Sequence, residues 1–178
     1  MRLLSIIIFG LTVFSVAWFA TASPTQNIIV QSDAIPAGYE SIPFETNTGC
    51  LAIPVIIQER LVHVEIDTGS ACTVLDPKRV KDIPLTWTRD SAVQGYTDPI
   101  LKWDAGLTCG TQVIRIGQQS YTGGTIHAFD VSEVNRSLTD RNMKTVDGLI
   151  GNDILTKAGA IIDFPRSRLL IRINERGK

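Results

Sequence analysis

Apolar and polar positions through residues 50–75 follow the two-residue period of an extended chain. Residues 50–57 form a nearly continuous apolar run, and Gln58-Glu59-Arg60 interrupts it. In Leu61-Val62-His63-Val64-Glu65-Ile66, positions 62, 64 and 66 fall on one face and 61, 63 and 65 on the other. The pattern predicts a hairpin that delivers the chain to Asp67, and Thr73-Val74-Leu75 resumes an extended apolar pattern just beyond it. Further strands are expected at residues 113–116, 125–131, 160–164 and 169–173, punctuated by Gly117, Gly123-Gly124 and Pro165-Arg166.

Helical signals are few. Residues 152–158 open on Asn152-Asp153 and close at Gly159, so Asn152 is expected to cap a helix, Asp153 to favour its N-terminal dipole and Gly159 to take the left-handed position after it. Residues 77–82 read as one short helical turn. Residues 135–144, the most polar stretch, carry three basic side chains and one acidic and read as an exposed loop. Residues 23–49 carry Pro24, Pro36, Gly38, Pro43 and Gly49 and read as an extended lead-in arm.

Composition sharpens the class. Residues 23–178 hold 19 Ile, 11 Val and 15 Thr against 11 Leu, and β-branched side chains suit a pleated surface better than a helix. Only three Phe, two Trp and three Tyr lie in that span, so the core must be aliphatic. No repeat period is present.

The first 22 residues stand apart, with 16 apolar side chains and a single charge, Arg2. The basic start, the apolar run and the small-x-small ending Ala20-Thr21-Ala22 are those of a secretory signal cleaved near Ala22, placing the protein outside the cytoplasm, periplasmic or secreted. The competing reading is an uncleaved membrane anchor. The remaining 156 residues, 16 basic and 18 acidic, suffice for one ordinary domain and not for two full-sized ones. Near-neutral charge excludes a typical nucleic-acid partner, and no second apolar run approaches the roughly 20 residues that span a bilayer. The expected organisation is therefore a signal or anchor at 1–22, an arm at 23–49 and a domain at 50–178.

The chemistry centres on Asp67-Thr68-Gly69-Ser70. Alone, such a tripeptide is an ordinary turn braced by its Asp side chain, but here it directly follows a hairpin. About 80 residues later comes Asp147-Gly148-Leu149-Ile150-Gly151-Asn152-Asp153-Ile154-Leu155, then Ala160-Ile161-Ile162-Asp163-Phe164 and Arg168-Leu169-Leu170-Ile171. Over residues 50–174 this arrangement resembles the retropepsin-like aspartic proteases, in particular their bacterial, exported, single-domain members.

That resemblance implies an all-β closed barrel lobe with one short C-terminal helix, and an aspartic endopeptidase needing no cofactor and no metal. Asp67 would be the catalytic carboxylate. Gly69 would let the turn approach its symmetry mate, Thr68 would brace the two loops, and Ser70 is placed to hydrogen-bond Asp67. Two carboxylates that share one proton are required, because like charges a few ångströms apart do not both ionise. Asp104-Ala105-Gly106, the only other Asp-x-Gly triplet, lacks the hydroxyl residue. A protease of this length must therefore be a homodimer acting on a peptide or protein substrate.

The resemblance also places a flap at residues 94–106. There Tyr96 and Trp103 read equally as contacts with a bound peptide or as aromatics packed on the barrel. The rival reading from another class is a non-catalytic binding or scaffold module with the same fold; the intact Asp67-Thr68-Gly69 favours catalysis. A redox or structural envelope role has no Cys-x-x-Cys pair to support it. Among the three cysteines, Cys50 with Cys109 is the pairing to test, leaving Cys72 unpaired. His63 and Glu65 share a strand face but have no third ligand for a zinc site. Asn135-Arg136-Ser137 matches a glycosylation acceptor pattern.

Overall fold

The computed structural model describes residues 33–45, 50–89, 97–98 and 103–174, with residues 97–98 and 103–105 described by their backbone alone. The proposed signal, Tyr96 and most of the expected flap lie outside these residues. Trp103 opens a strand. Among the described residues no helix is long and apolar enough to cross a membrane.

The expected hairpin is present as β2 (Ala52–Ile57) and β3 (Arg60–Ile66), paired antiparallel from Ala52↔Glu65 to Ile57↔Arg60. Its turn residues Gln58 and Glu59 both take positive φ, as a two-residue hairpin turn requires. The chain continues through β4 (Val74–Leu75), β5 (Thr88–Arg89), β6 (Thr97–Asp98), β7 (Trp103–Ile116), β8 (Gln119–Phe129), helix α1 (Ser132–Thr139), β9 (Gly148–Ile150), helix α2 (Asn152–Leu155), β10 (Ile161–Asp163) and β11 (Arg168–Arg172). Gly123 and Gly124, expected to end a strand, lie inside β8.

Strands run in the order β2-β3-β9-β4-β8-β7, and β7 pairs back onto β2 through Ile56↔Arg115 and Ile57↔Ile114. Six strands thus close into a barrel, which leaves no free edge within the ring. Inside it pack Ile53, Ile57, Ile114, Ile116, Ile126 and Ile150, all essentially inaccessible, so the core is aliphatic as composition demands.

A second, three-stranded sheet has the order β1-β11-β10, with β1 (Tyr39–Pro43) antiparallel to β11. The segment expected as a lead-in arm therefore supplies a strand. Contacts that dock this sheet on the barrel include two hydrogen bonds. The Tyr121 hydroxyl donates to the Arg172 carbonyl at 3.0 Å, and the Glu40 carboxylate accepts the Gln118 N–H at 3.0 Å.

The polar stretch read as a loop begins instead with the second half of α1, which corrects that expectation. Asn135 is buried, its amide donating to the Val146 carbonyl and its carbonyl accepting the Val146 N–H, both at 2.8 Å. Leu138 packs with Ala52 and Val146 in a small cluster separate from the main core. A helix carrying so few apolar residues persists because one buried amide replaces apolar contact with two hydrogen bonds. The same burial closes Asn135 to a glycan.

Cys50 packs against that small cluster, whereas Cys109 lies in the main core. No disulfide joins them.

Candidate active site

β9 is the element that builds the site. It lies between β3 and β4, the strands flanking the Asp67 loop, parallel to the first (Val64↔Gly148, Ile66↔Ile150) and antiparallel to the second (Val74↔Leu149). Two glycines permit this insertion: a Cβ on Gly148 would overlap the Val74 carbonyl, and one on Gly151 the Cys72 carbonyl. Both are sites of close backbone approach.

Beyond Ile66 the Asp67 N–H donates to the Ile150 carbonyl at 3.0 Å, extending the β3–β9 ladder by one rung. The chain then turns. The Ser70 N–H donates to the Asp67 carbonyl at 3.2 Å, and the Gly69 N–H donates to Asp67 Oδ1 at 2.9 Å. That last bond fixes the carboxylate against its own turn.

The loop is tied to α2 at two points. The Asn152 N–H donates to the Ser70 carbonyl at 2.9 Å, and Asn152 Nδ2 donates to the Thr68 carbonyl at 2.8 Å. This corrects the capping role expected for Asn152. Gly151 is the N-cap residue, no side chain caps the helix, and the Asn152 amide is spent on the Thr68 loop. Gly159 does take the left-handed conformation expected of it, at φ +53°.

Ser70 also departs from expectation. Its hydroxyl donates to the Cys72 carbonyl at 2.7 Å and so braces the loop's exit rather than the Asp67 carboxylate. Thr68 is exposed at the loop tip.

Beneath the loop lies a polar network that the sequence did not suggest. Buried Thr73 donates its hydroxyl to Asp153 Oδ1 at 2.8 Å and accepts the Gly151 N–H at 3.2 Å, while Asp153 Oδ2 accepts the Gly124 N–H at 3.1 Å. The role expected of Asp153 is that of a dipole partner alone; its contacts on β8 and ahead of β4 come from residues remote in sequence.

A hollow of about 460 Å³ opens beside Asp67, lined by Gly69, Ala71, Cys72, Val74, Phe129 and Leu149 among others. Apart from the Asp67 carboxylate its walls are mostly apolar. A smaller hollow is lined by Thr68, Asn152, Leu155, Ala160 and Ile162 among others.

Burial pushes the Cys72 thiol above its ordinary range; the Asp153 carboxylate adds to this and the Ser70 hydroxyl opposes it. Such a thiol is a poor nucleophile at neutral pH. His127 lies opposite Val74 across the β4–β8 pair, closer to this region than its place in the sequence suggests. His63 Nδ1 is 2.9 Å from the Glu45 carboxylate. Glu65, two residues before Asp67, has its carboxyl raised by burial first and by the Asp67 charge second.

No family model matches this chain, and no curated protein matches it. Solved structures similar to it include the retroviral protease-like domain of Ddi1 from Leishmania major, at 15% identity and TM-score 0.45, over 67% of this chain and 86% of that one. They also include a retropepsin-like aspartic protease from Rickettsia conorii, at 16% identity and TM-score 0.46, over 75% of this chain and 89% of that one. A third is the EIAV protease complexed with the inhibitor HBY-793, at 15% identity and TM-score 0.44, over 64% and 91%.

Proposed function

We propose that this chain is one half of an aspartic endopeptidase, an exported homodimer that hydrolyses peptide bonds through a water held between Asp67 of each copy. The observation that carries the reading is the Asp67 loop itself, fixed by β9 on one side and α2 on the other at the edge of a mostly apolar hollow. A carboxylate so held is positioned before any substrate arrives.

The two Asp67 carboxylates share one proton. The ionised member takes a proton from the water as its oxygen attacks the scissile carbonyl, and the protonated member donates to the carbonyl oxygen. Collapse of the tetrahedral intermediate then returns a proton to the leaving nitrogen. No metal or organic cofactor takes part in this scheme.

One chain supplies one such loop, so the reading requires a second copy. The apolar lining beside Thr68 and, separately, the exposed Ile161 and Phe164, 45% and 64% accessible, give the lobe apolar surface for a partner to cover. The N-terminal signal accounts for export, and the protein is tethered if that segment is not cut.

The test is peptide cleavage between pH 3 and 7 by the parent protein and by Asp67→Asn, with sedimentation to fix the mass. The reading expects cleavage by a species of twice the chain mass and none by an Asp67→Asn protein with an unaltered circular-dichroism spectrum. Cleavage that survives in Asp67→Asn would refute it.

A further inference from the structure

Asp67 follows Glu65 by two residues, so both side chains leave the same face of the extended chain. The strand register extends that face sideways. Glu65 stands opposite Leu149 across the β3–β9 pair, and Leu149 opposite Val74 across the β9–β4 pair. Leu149 and Val74 both line the hollow beside Asp67. On its other flank Glu65 opposes Ala52, which is fully buried against Leu138 of α1. Between Ala52 and Val74 the row thus carries one carboxylate among apolar side chains, and beyond Val74 it continues to His127.

Glu65 is half-buried, and it makes no side-chain hydrogen bond or ion pair with the described residues. The charge acting on it is that of Asp67, of the same sign. Among the described residues, three neighbouring charged or titratable groups are committed elsewhere. His63 faces Glu45 at 2.9 Å, Lys144 lies 3.7 Å from the same carboxylate, and Asp147 pairs with Arg79 at 2.9 Å. A carboxylate that a bound peptide would desolvate further, with no cation to meet it, penalises an apolar ligand and favours one that brings its own positive charge.

We propose that Glu65 sets the specificity of the Asp67 cleft, selecting peptides that carry Lys or Arg adjacent to the bond that is cut. The inference rests on the protease reading above. In a symmetric dimer each copy brings its own Glu65, so basic side chains are favoured on both sides of the scissile bond.

The probes are three fluorogenic peptide mixtures identical except for Lys, norleucine or Glu at the central position; norleucine keeps the apolar stem of Lys and lacks its charge. At pH 7 the Lys mixture is expected to be cleaved about tenfold faster than the norleucine mixture, and the Glu mixture most slowly. Glu65→Gln brings the Lys-to-norleucine ratio within about twofold of unity, because only the charged contact is removed. Equal rates for the two mixtures with the parent protein, or a Lys preference that Glu65→Gln leaves intact, overturn the proposal.

Binding of the same mixtures to Asp67→Asn, read by fluorescence anisotropy, separates this inference from the reading beneath it. If the parent cleaves nothing but Asp67→Asn binds the Lys mixture more tightly than norleucine in a Glu65-dependent way, the protease reading fails and the acidic recognition site stands. If binding does not discriminate either, the proposal is overturned.

Discussion

The side-chain amide of Asn152 donates to the carbonyl of Thr68 at 2.8 Å, joining two residues 84 positions apart. The bond is exposed, so its loss costs little stability, but it holds the tip of the Asp67 loop. Asn152→Ala is expected to lower the unfolding free energy by about 0.5 kcal/mol and the rate of Asp67-dependent peptide cleavage by about tenfold. Asn152→Asp, which sets a carboxylate against a carbonyl, fares no better. Parallel measurement of kcat/KM and of the urea midpoint checks the split, and equal loss in both contradicts the positioning role.

Thr73 is almost wholly buried, and its hydroxyl serves Asp153 and the Gly151 N–H together. Thr73→Val keeps the shape and removes both bonds. It is expected to cost about 2 kcal/mol, since two buried groups lose a partner, while Thr73→Ser recovers most of it. Urea unfolding of the two variants decides the point.

Gly148 and Gly151 are the positions where β9 passes against the backbones of Val74 and Cys72. Backbone atoms do not yield as a flexible side-chain end does, so Ala at either position is expected to cost about 3 kcal/mol or more. Soluble yield and a thermal melt report the outcome. Native-like stability in Gly148→Ala would show that β9 is free to shift.

Burial, and Asp67 after it, hold the Glu65 carboxyl above the usual carboxylate range. Between the unfolded and folded titrations the folded chain then binds more protons, so unfolding releases them. Stability from this group is present at acid pH and falls as pH rises through that window. Glu65→Gln removes the loss. Its melting temperature is expected to exceed the parent's at pH 7, with the gap shrinking towards pH 4, and a gap independent of pH argues against this account.

The β2–β3 hairpin and the place of Asp67 were legible because alternation is a local signal: Val62, Val64 and Ile66 do face the core, as their spacing says. The helix at Ser132–Thr139 was not legible. Its burial rests on an asparagine whose partner, the Val146 backbone, lies 11 residues on. Asn152 and Asp153 were recognised as residues of interest yet given local roles. Their partners Thr68, Thr73 and Gly124 are brought to them by β9, β4 and β8, and a side chain's choice between its own helix end and a distant loop is made by tertiary packing. The partner of Ser70 is hidden for a similar reason, since two nearby acceptors compete for one hydroxyl and only the turn geometry selects Cys72. Glu65 is visible in the sequence by its strand face, but its place beside Leu149 follows from the register of β3 with β9.

The insertion of β9 between β3 and β4 also sets when the site comes into being. Asp67 is made early in the chain, but the rung that fixes it comes from Ile150. Contacts of such long sequence separation are entropically late to close. A growing chain thus carries the Asp67 loop before the strand that orders it. Whatever chemistry the loop performs is withheld until residues 148–152 have emerged, a latency written into the order of the strands.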